Sequence, residues 1–366
     1  MPTRSRYIDR FFLLSTAALT LAGFVIFLSA SLGLLAQNGV SFGSTAVKQL
    51  ISLGLGIILF YVFSRLNYVW WRRSASFILI GAILVNLLLF IPSLALFHGG
   101  ASRWIALGPL TFQPSEFLKI AFIIYLAAWV QFARDRIKTF TWGIVPYGVI
   151  MAILGALLLV QSDTDTLVII AFTGIIMLFI AGVPLRHIGL VCLLLAMLVG
   201  AVIWFRPYAM QRFQVYLNPS ANQSGAGYQI NQSLIAIGSG QATGRGFGQS
   251  VQKFGYLPQP TDDSIFAVAG EEFGLIGAIG LVALYCLFAA SAFRVGTRAP
   301  DPFGGMLAIG ISILVITESF LNMAAMLGLV PLSGVPLLFV SHGGTALIII
   351  LAAAGIVANV SKARKA

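Results

Sequence analysis

The chain is 366 residues long, 59% of them hydrophobic and only 9% charged, with a formal net charge of +11. Soluble domains carry about 25% charged residues, so the composition excludes a water-soluble globular protein and makes lipid the solvent for most of the chain. The basic excess gives no reason to invoke nucleic acid, because in a membrane protein it holds cytoplasmic loops in place.

The first apolar run, 11–36, is too long for the apolar core of a secretory signal and reads as a retained span. Further runs of about 17–25 residues fall at 46–64, 75–97, 116–132, 142–161, 166–184, 186–206, 265–293, 304–327 and 337–360. The expectation is a single integral-membrane domain over 1–366. It is all-α: a polytopic bundle of about ten transmembrane helices. Cys192 and Cys286 sit inside apolar runs and make neither a disulfide framework nor a metal-binding pair.

Basic residues set the orientation. Arg4, Arg6, Arg10, Arg65, Arg72, Arg73, Arg134, Arg136, Lys138, Arg186, Arg294, Arg298, Lys362, Arg364 and Lys365 all fall on the side of the N-terminus, which is therefore cytoplasmic. Both termini then lie inside, and the number of spans is even. Of the acidic residues only Asp9, Asp135 and Asp301 share that side; the others lie in spans or on the outer side, where an ionisable group is a site candidate. One outer loop, 207–264, between the seventh and eighth helices, is far longer than ordinary connections. It is rich in Gly, Gln, Asn and Ser, yet it keeps aromatic residues and an amphipathic stretch from Tyr228 to Ile237. Part of it is expected to lie in the membrane interface. No internal repeat is visible, which weakens an inverted-repeat transporter reading.

Four clusters carry polar groups. In GASRWIALGPLTFQPSEFLK, Trp104 suits an interfacial anchor, Pro114 and Ser115 suit a helix start, and Glu116 and Lys119 share one helical face and can pair. In QSDTDT, which includes Gln161, Asp163 and Asp165, a carboxylate either caps the next helix or helps to bind a divalent cation. In KFGYLPQPTDDSIF, Asp262 and Asp263 stand at the mouth of the eighth span, with Glu271 and Glu272 about two turns further in. Asp residues at a helix start are ordinarily caps, and position alone favours that reading; the further carboxylates and the Pro-flanked approach add weight to a functional one. In PLSGVP and SHGGT, Gly and Pro let the backbone turn near the membrane, bringing in Ser341 and His342. His342 has no evident metal-ligand partners.

Together these clusters resemble the FtsW, RodA and SpoVE family of shape, elongation, division and sporulation proteins over nearly the whole chain. The matching text is GASRWIALGPLTFQPSEFLK, QSDTDT, YQINQSLIAIGSG, GFGQSVQKFGYLPQPTDDSIFAVAGEEFGLIG and NMAAMLGLVPLSGVPLLFVSHGGTALI. The phrase QSVQKFGYLP is closer to the FtsW branch than to RodA. The resemblance implies a ten-helix bundle with the large loop between helices seven and eight. It implies peptidoglycan glycosyl transfer on lipid II for cell division or elongation, with Asp263 as the catalytic aspartate. It also implies a class B penicillin-binding protein as partner, within the divisome or elongasome. Three departures stand out: Asp165 where Gly is common, Leu338 where Pro is usual, and His342 and Thr345 where Tyr and Ser are usual. Asp262 stands where Thr or Asn is frequent.

The expected chemistry is an inverting transfer at the outer face of the cytoplasmic membrane, with an undecaprenyl diphosphate leaving group and Asp263 as general base. Arg103, Lys119, Arg212, Arg245 and Lys253 are the outer-side cations expected at the diphosphate. Glu116, Gln161, Asp163, Asp262, Glu271, Ser341 and His342 complete the expected substrate site. A divalent cation, Mg2+ or Mn2+, is a candidate cofactor, with Asp163, Asp165 and Asp263 as its candidate ligands. The competing class is a lipid II flippase. Against it stands the clustering of acidic groups at one face, where a path would need polar groups at both ends. A pure scaffold is a third class.

Overall fold

The computed structural model describes residues 8–36, 42–98, 101–107, 110–218 and 225–363. Arg4, Arg6, Arg364 and Lys365, which entered the orientation argument, lie outside them.

Helices α1 (Arg10–Ser31) and α2 (Phe42–Arg65) open the chain. A short α3 (Val69–Arg73) leads into α4 (Ala75–Leu87). There the expected continuous span 75–97 ends early. Past a turn at Pro92 the chain forms three antiparallel strands, β1 (Ala95–His98), β2 (Ala101–Leu107) and β3 (Leu110–Phe112), in the order β1-β2-β3. The bundle is therefore helical with a small sheet at its outer end. Helix α5 (Pro114–Ala133) follows, with Pro114 in its first turn, where the missing N–H costs nothing. Then come α6 (Phe140–Gly143), α7 (Val145–Val160), α8 (Thr164–Ile180) and α9 (Leu185–Phe205). The long loop contains α10 (Pro207–Leu217) and α11 (Ala226–Ser239), the latter over the amphipathic stretch. The chain closes with α12 (Ile265–Thr297), α13 (Pro302–Met326) and α14 (Gly344–Lys362). The last span starts later than expected, because 337–343 is irregular backbone beside the site.

Among the described residues eight helices are long and apolar enough to cross a membrane, and 75–90 and 164–180 are shorter apolar helices. The ten expected spans are thus all present as helices. Helices α5, α13 and α14 form the centre, with α12 against α1 and α13, and α2 against α14. Helix α9 buries no residue. Cys192 and Cys286 are both free and exposed.

At the end of the bundle opposite the sheet, the start of α1 and the end of α14 meet. The Asp9 backbone N–H donates to Ser361 Oγ at 3.0 Å, and the Asp9 carboxylate accepts from the Phe11 and Phe12 amides at 3.0 and 3.2 Å. Asp301 caps α13 in the same way, accepting from the Gly304 amide at 3.0 Å and from the Tyr68 hydroxyl.

Helix α12 is broken at Gly274, whose φ of 63° suits glycine alone. The break frees two carbonyls and two amides, and in a membrane protein each needs a partner. The loop supplies all four. The Glu271 and Glu272 carbonyls accept from the Arg245 and Gly246 amides at 3.0 and 2.9 Å. The Leu275 and Ile276 amides donate to the Gln241 and Ala242 carbonyls at 2.9 and 3.1 Å. This exchange straps the second half of the long loop to α12 and fixes the approach to Asp263.

Candidate functional site

Three consecutive carbonyls just before α12 are held from outside. The His342 amide donates to Thr261 O at 2.7 Å, Ser341 Oγ to Asp262 O at 2.6 Å, and Asn322 Nδ2 to Asp263 O at 2.8 Å. Asn322 Nδ2 also donates to Val335 O at 2.8 Å, tying α13 to the irregular 331–343 segment. The following residue, Ser264, accepts from Gln229 Nε2 of α11 at 2.9 Å. Neither Asp262 nor Asp263 caps α12; the N-cap is Ser264, without a side-chain cap bond. The capping alternative for this pair is therefore not realised, and the segment's rigidity comes from the three pinned carbonyls.

Asp262 and Asp263 face a cleft of about 760 Å3. Its walls are the sheet at Arg103 and Trp104, the turn before α8, the start of α10, and the backbone at Gly334, Pro336 and His342. Asp263 is half-buried, and its Oδ1 is shielded from solvent with no hydrogen-bond partner among the described residues. Burial, and after it the charge of Asp262, push its carboxyl up to about 6; Gln229 and Arg212 act weakly in the opposite sense. His342 Nδ1 lies 3.5 Å from Asp262 Oδ1, and its ring stacks on Phe27 at 5.8 Å. Two departures from the family text, Asp262 and His342, thus meet in one contact.

Three guanidinium groups line the same cleft. Arg103 donates to the Ser162 carbonyl and lies 3.9 Å from Asp163. Arg212 donates to Asp165 at 3.2 Å and to Leu332 O at 2.9 Å, and its guanidinium sits 4.4 Å above the Tyr208 ring. Arg206 donates to Leu159 O at 3.2 Å. A smaller apolar cavity of about 200 Å3 between α8, α9 and α10 shares Tyr208, Ala209 and Arg212 with the cleft.

The cleft gathers Arg103, Arg212, Asp262, Asp263 and His342 from the expected set. Ser341 lies beneath it, and Asp163 stands behind Arg103. The others are elsewhere. Lys119 is buried between Glu116 at 2.9 Å and Glu318 at 2.5 Å, and none of the three lines the cleft. Gln161 is buried and donates to Asn86 O at 3.0 Å. Lys253 is fully buried, ion-paired to Glu272 at 2.6 Å and donating to Ser29 at 3.1 Å. Glu271 accepts from Ser250 Oγ at 2.6 Å and from the Val251 and Gln252 amides, with Arg245 at 3.4 Å. Lys119 and Lys253 are therefore corrected from diphosphate ligands to internal counter-ions, while Arg245 is partly exposed and does not line the cleft. The cause for the two lysines is burial: each is enclosed against a carboxylate away from the cleft. Arg206, Asn322, Gln229 and Glu318 were missed. Asn322 and Glu318 had a usable signal, since each is a polar residue inside an apolar span.

Asp165 is engaged by Arg212, Arg103 stands against Asp163, and among the described residues no three His, Cys, Asp or Glu side chains gather as ligands would. As they stand, these carboxylates form no ready-made divalent-ion site among the described residues.

The cell cycle protein model shared by FtsW, RodA and SpoVE matches residues 9–366. The chain belongs to the FtsW/RodA/SpoVE family. Within it the chain is 40% identical over 359 residues to a protein of Geobacter metallireducens named probable peptidoglycan glycosyltransferase FtsW, covering 98% of this chain and 95% of that one. It is 35% identical over 318 residues to the stage V sporulation protein E of Bacillus subtilis, covering 87% of each. Relatives of this kind put it on the FtsW branch of the family. One chain of a solved peptidoglycan synthase complex, which coordinates polymerisation and crosslinking, matches with a TM-score of 0.79 at 25% identity over 97% of both chains. The rod shape determining protein RodA of Thermus thermophilus shares the fold, with a TM-score of 0.71 at 24% identity over 98% of each chain.

Proposed function

We propose that this protein is a peptidoglycan glycosyltransferase. It lengthens glycan strands from lipid II at the outer face of the cytoplasmic membrane, in cell division. The observation that carries the reading is a half-buried carboxylate, Asp263, on a backbone pinned at three successive carbonyls and facing a cleft with three guanidinium groups. The names of the FtsW relatives support the same reaction class.

In the proposed step the 4-hydroxyl of the acceptor sugar attacks the anomeric carbon of the donor. The new O–C bond forms as the bond from that carbon to the diphosphate oxygen breaks, with inversion. The hydroxyl proton passes to Asp263, and the diphosphate leaves as an anion. A base with a pKa near 6 is ionised at neutral pH yet far stronger than an ordinary aspartate, which is what general-base catalysis needs. Arg103, Arg206 and Arg212 offset charge as it develops on the leaving diphosphate, and their fixed contacts hold them ready for it. The polyprenyl chain would run from the cleft into the apolar cavity along α9, whose surface is open to lipid. If a divalent cation takes part, it arrives with the diphosphate, since Mg2+ commonly binds through substrate phosphates and few protein carboxylates.

The distribution of Lys and Arg supports both termini in the cytoplasm. A class B penicillin-binding protein is the proposed partner that crosslinks the strands, by analogy with the matched synthase complex. The test is direct. Purified protein with lipid II, with and without a cognate transpeptidase, should yield glycan strands, and Asp263→Asn should not. Strand synthesis by the mutant at a comparable rate would remove Asp263 from the mechanism. Translocation of lipid II by wild type in proteoliposomes without any polymer would move the protein to the flippase class.

A further inference from the structure

At the opposite end of the bundle, about 640 Å3 of open volume separates the start of α4 from the end of α5. Arg72 and Arg134 both border it, together with Tyr125, Trp129, Gln131 and Phe132. This is the side on which Lys and Arg concentrate, so the recess lies at the level of the cytoplasmic headgroups. Neither guanidinium has an ion-pair partner among the described residues, although Asp135 follows Arg134 directly in sequence. Other cations on this side, Arg294 and Arg298 among them, also lack an ion pair among the described residues; what sets Arg72 and Arg134 apart is that they come from two separate segments and border one recess between helices.

The surroundings are those of a lipid site. Phe132 is 69% exposed on the bundle surface, and Phe77 of α4 is 79% exposed. Phe132 lines the recess, and Phe77 follows Ser76 of its wall in the sequence. Trp129 is fixed at the rim: its indole N–H donates to Trp142 O at 2.9 Å, and its ring stacks on Trp142 at 5.7 Å. Indole at this depth is a headgroup-level anchor. Gln131 Oε1 is buried without a partner. Two unpaired guanidinium groups in a recess between helices, floored by aromatics and open to acyl chains, match a phosphodiester with hydrocarbon attached.

We propose that this recess binds the headgroup phosphate of an anionic glycerophospholipid from the cytoplasmic leaflet. Arg72 and Arg134 clamp the phosphate oxygens, and the acyl chains descend along Phe77 and Phe132. The site is distinct from the cleft and does not depend on the reaction assigned there.

The experiment uses delipidated full-length protein and a photoreactive phosphatidylglycerol. On wild type, crosslinks should map to the segments around Arg72 and Trp129, and excess phosphatidylglycerol should compete them away. Phosphatidylcholine and inorganic phosphate should not. The double variant Arg72→Gln/Arg134→Gln should lose about tenfold or more in affinity for phosphatidylglycerol by native mass spectrometry, the worth of one or more lost charge-assisted contacts. Arg294→Gln/Arg298→Gln, which removes two basic residues from the same side, should leave it unchanged. Crosslinks elsewhere in wild type, equal loss in the control pair, or equal competition by phosphatidylcholine would each overturn the proposal. Competition by inorganic phosphate would reassign the recess to a soluble phosphate and overturn it as a lipid site. The wild-type crosslinking arm decides the matter even if the double variant fails to fold.

Discussion

Replacing Asp263 by Asn separates catalysis from stability, because burial raises the pKa of the carboxyl that the proposed reaction uses as its base. The folded protein holds this carboxyl near 6, against 3.8 for the free side chain. Ionising it in place therefore works against the fold. The sign follows from proton counting. Between 3.8 and 6 the native state binds more protons than the unfolded chain, so stability falls as pH rises through that window and stays low above it. A shift of about two units corresponds to about 3 kcal/mol. Water reaching the cleft reduces this, so about 1–3 kcal/mol is expected. Asp263→Asn, which has no proton to lose, should melt at a higher temperature than wild type at pH 8 and show most of that gain vanish at pH 4. The same substitution should lower strand synthesis by at least about 10²-fold. Wild-type activity should fall on the acid side with a midpoint near 6, as the base is protonated. Differential scanning fluorimetry in detergent across pH, alongside a gel assay for glycan strands, reads all three. An Asn variant that is inactive but equally destabilised at pH 4 and pH 8 would show that the side chain holds the fold rather than the proton.

The other expectations concern charges that look alike in sequence and differ in place. Lys119→Met strands two buried carboxylates and should cost about 3–5 kcal/mol; Glu318→Gln, which leaves Lys119 paired with Glu116 at 2.9 Å, should cost less than about 1 kcal/mol, both read as melting shifts. Lys253→Met should release the loop strapped to α12 and sensitise residues 240–262 to limited proteolysis, whereas Arg245→Gln, at a half-exposed ion pair, should keep strand synthesis within about twofold of wild type. Arg212→Ala should reduce turnover by about 10–100-fold by removing charge facing the leaving group, and Asp165→Asn, which only loosens that arginine, should do less; equal effects would assign both residues to packing.

The bundle was legible because lipid leaves so little freedom. A chain of about 20 apolar residues between basic flanks has one stable use, and the ten runs read from the sequence are ten helices. The failures cluster where that constraint ends. The run 75–97 is apolar throughout, yet its last residues enter a sheet that lies past the helix, and hydropathy does not distinguish the two. Position at a span mouth suited Asp263 to a cap as well as to a site; the family resemblance singled it out, and the structure places it at the cleft without a capping bond. Lys253 was misread for a related reason: a lysine in a polar outer loop has the same signature whether it faces substrate or a carboxylate one helix away. Glu272 is its partner, and the loop folded back on α12 brings the two within 2.6 Å. Likewise Glu318 is distant in sequence from Lys119, and periodicity within either helix carries no record of the other.

The fastening of Asp9 to Ser361 has a mechanical reading. Helix α14 is an uninterrupted rod of 19 residues, about 28 Å from end to end. Its lower tip is clasped to the first helix, and its upper tip, from Gly343 to Ala346, is a margin of the cleft that Asp263 faces. The seating of the molecule's opening turn and the shape of that cleft are thus set by the two ends of a single lever.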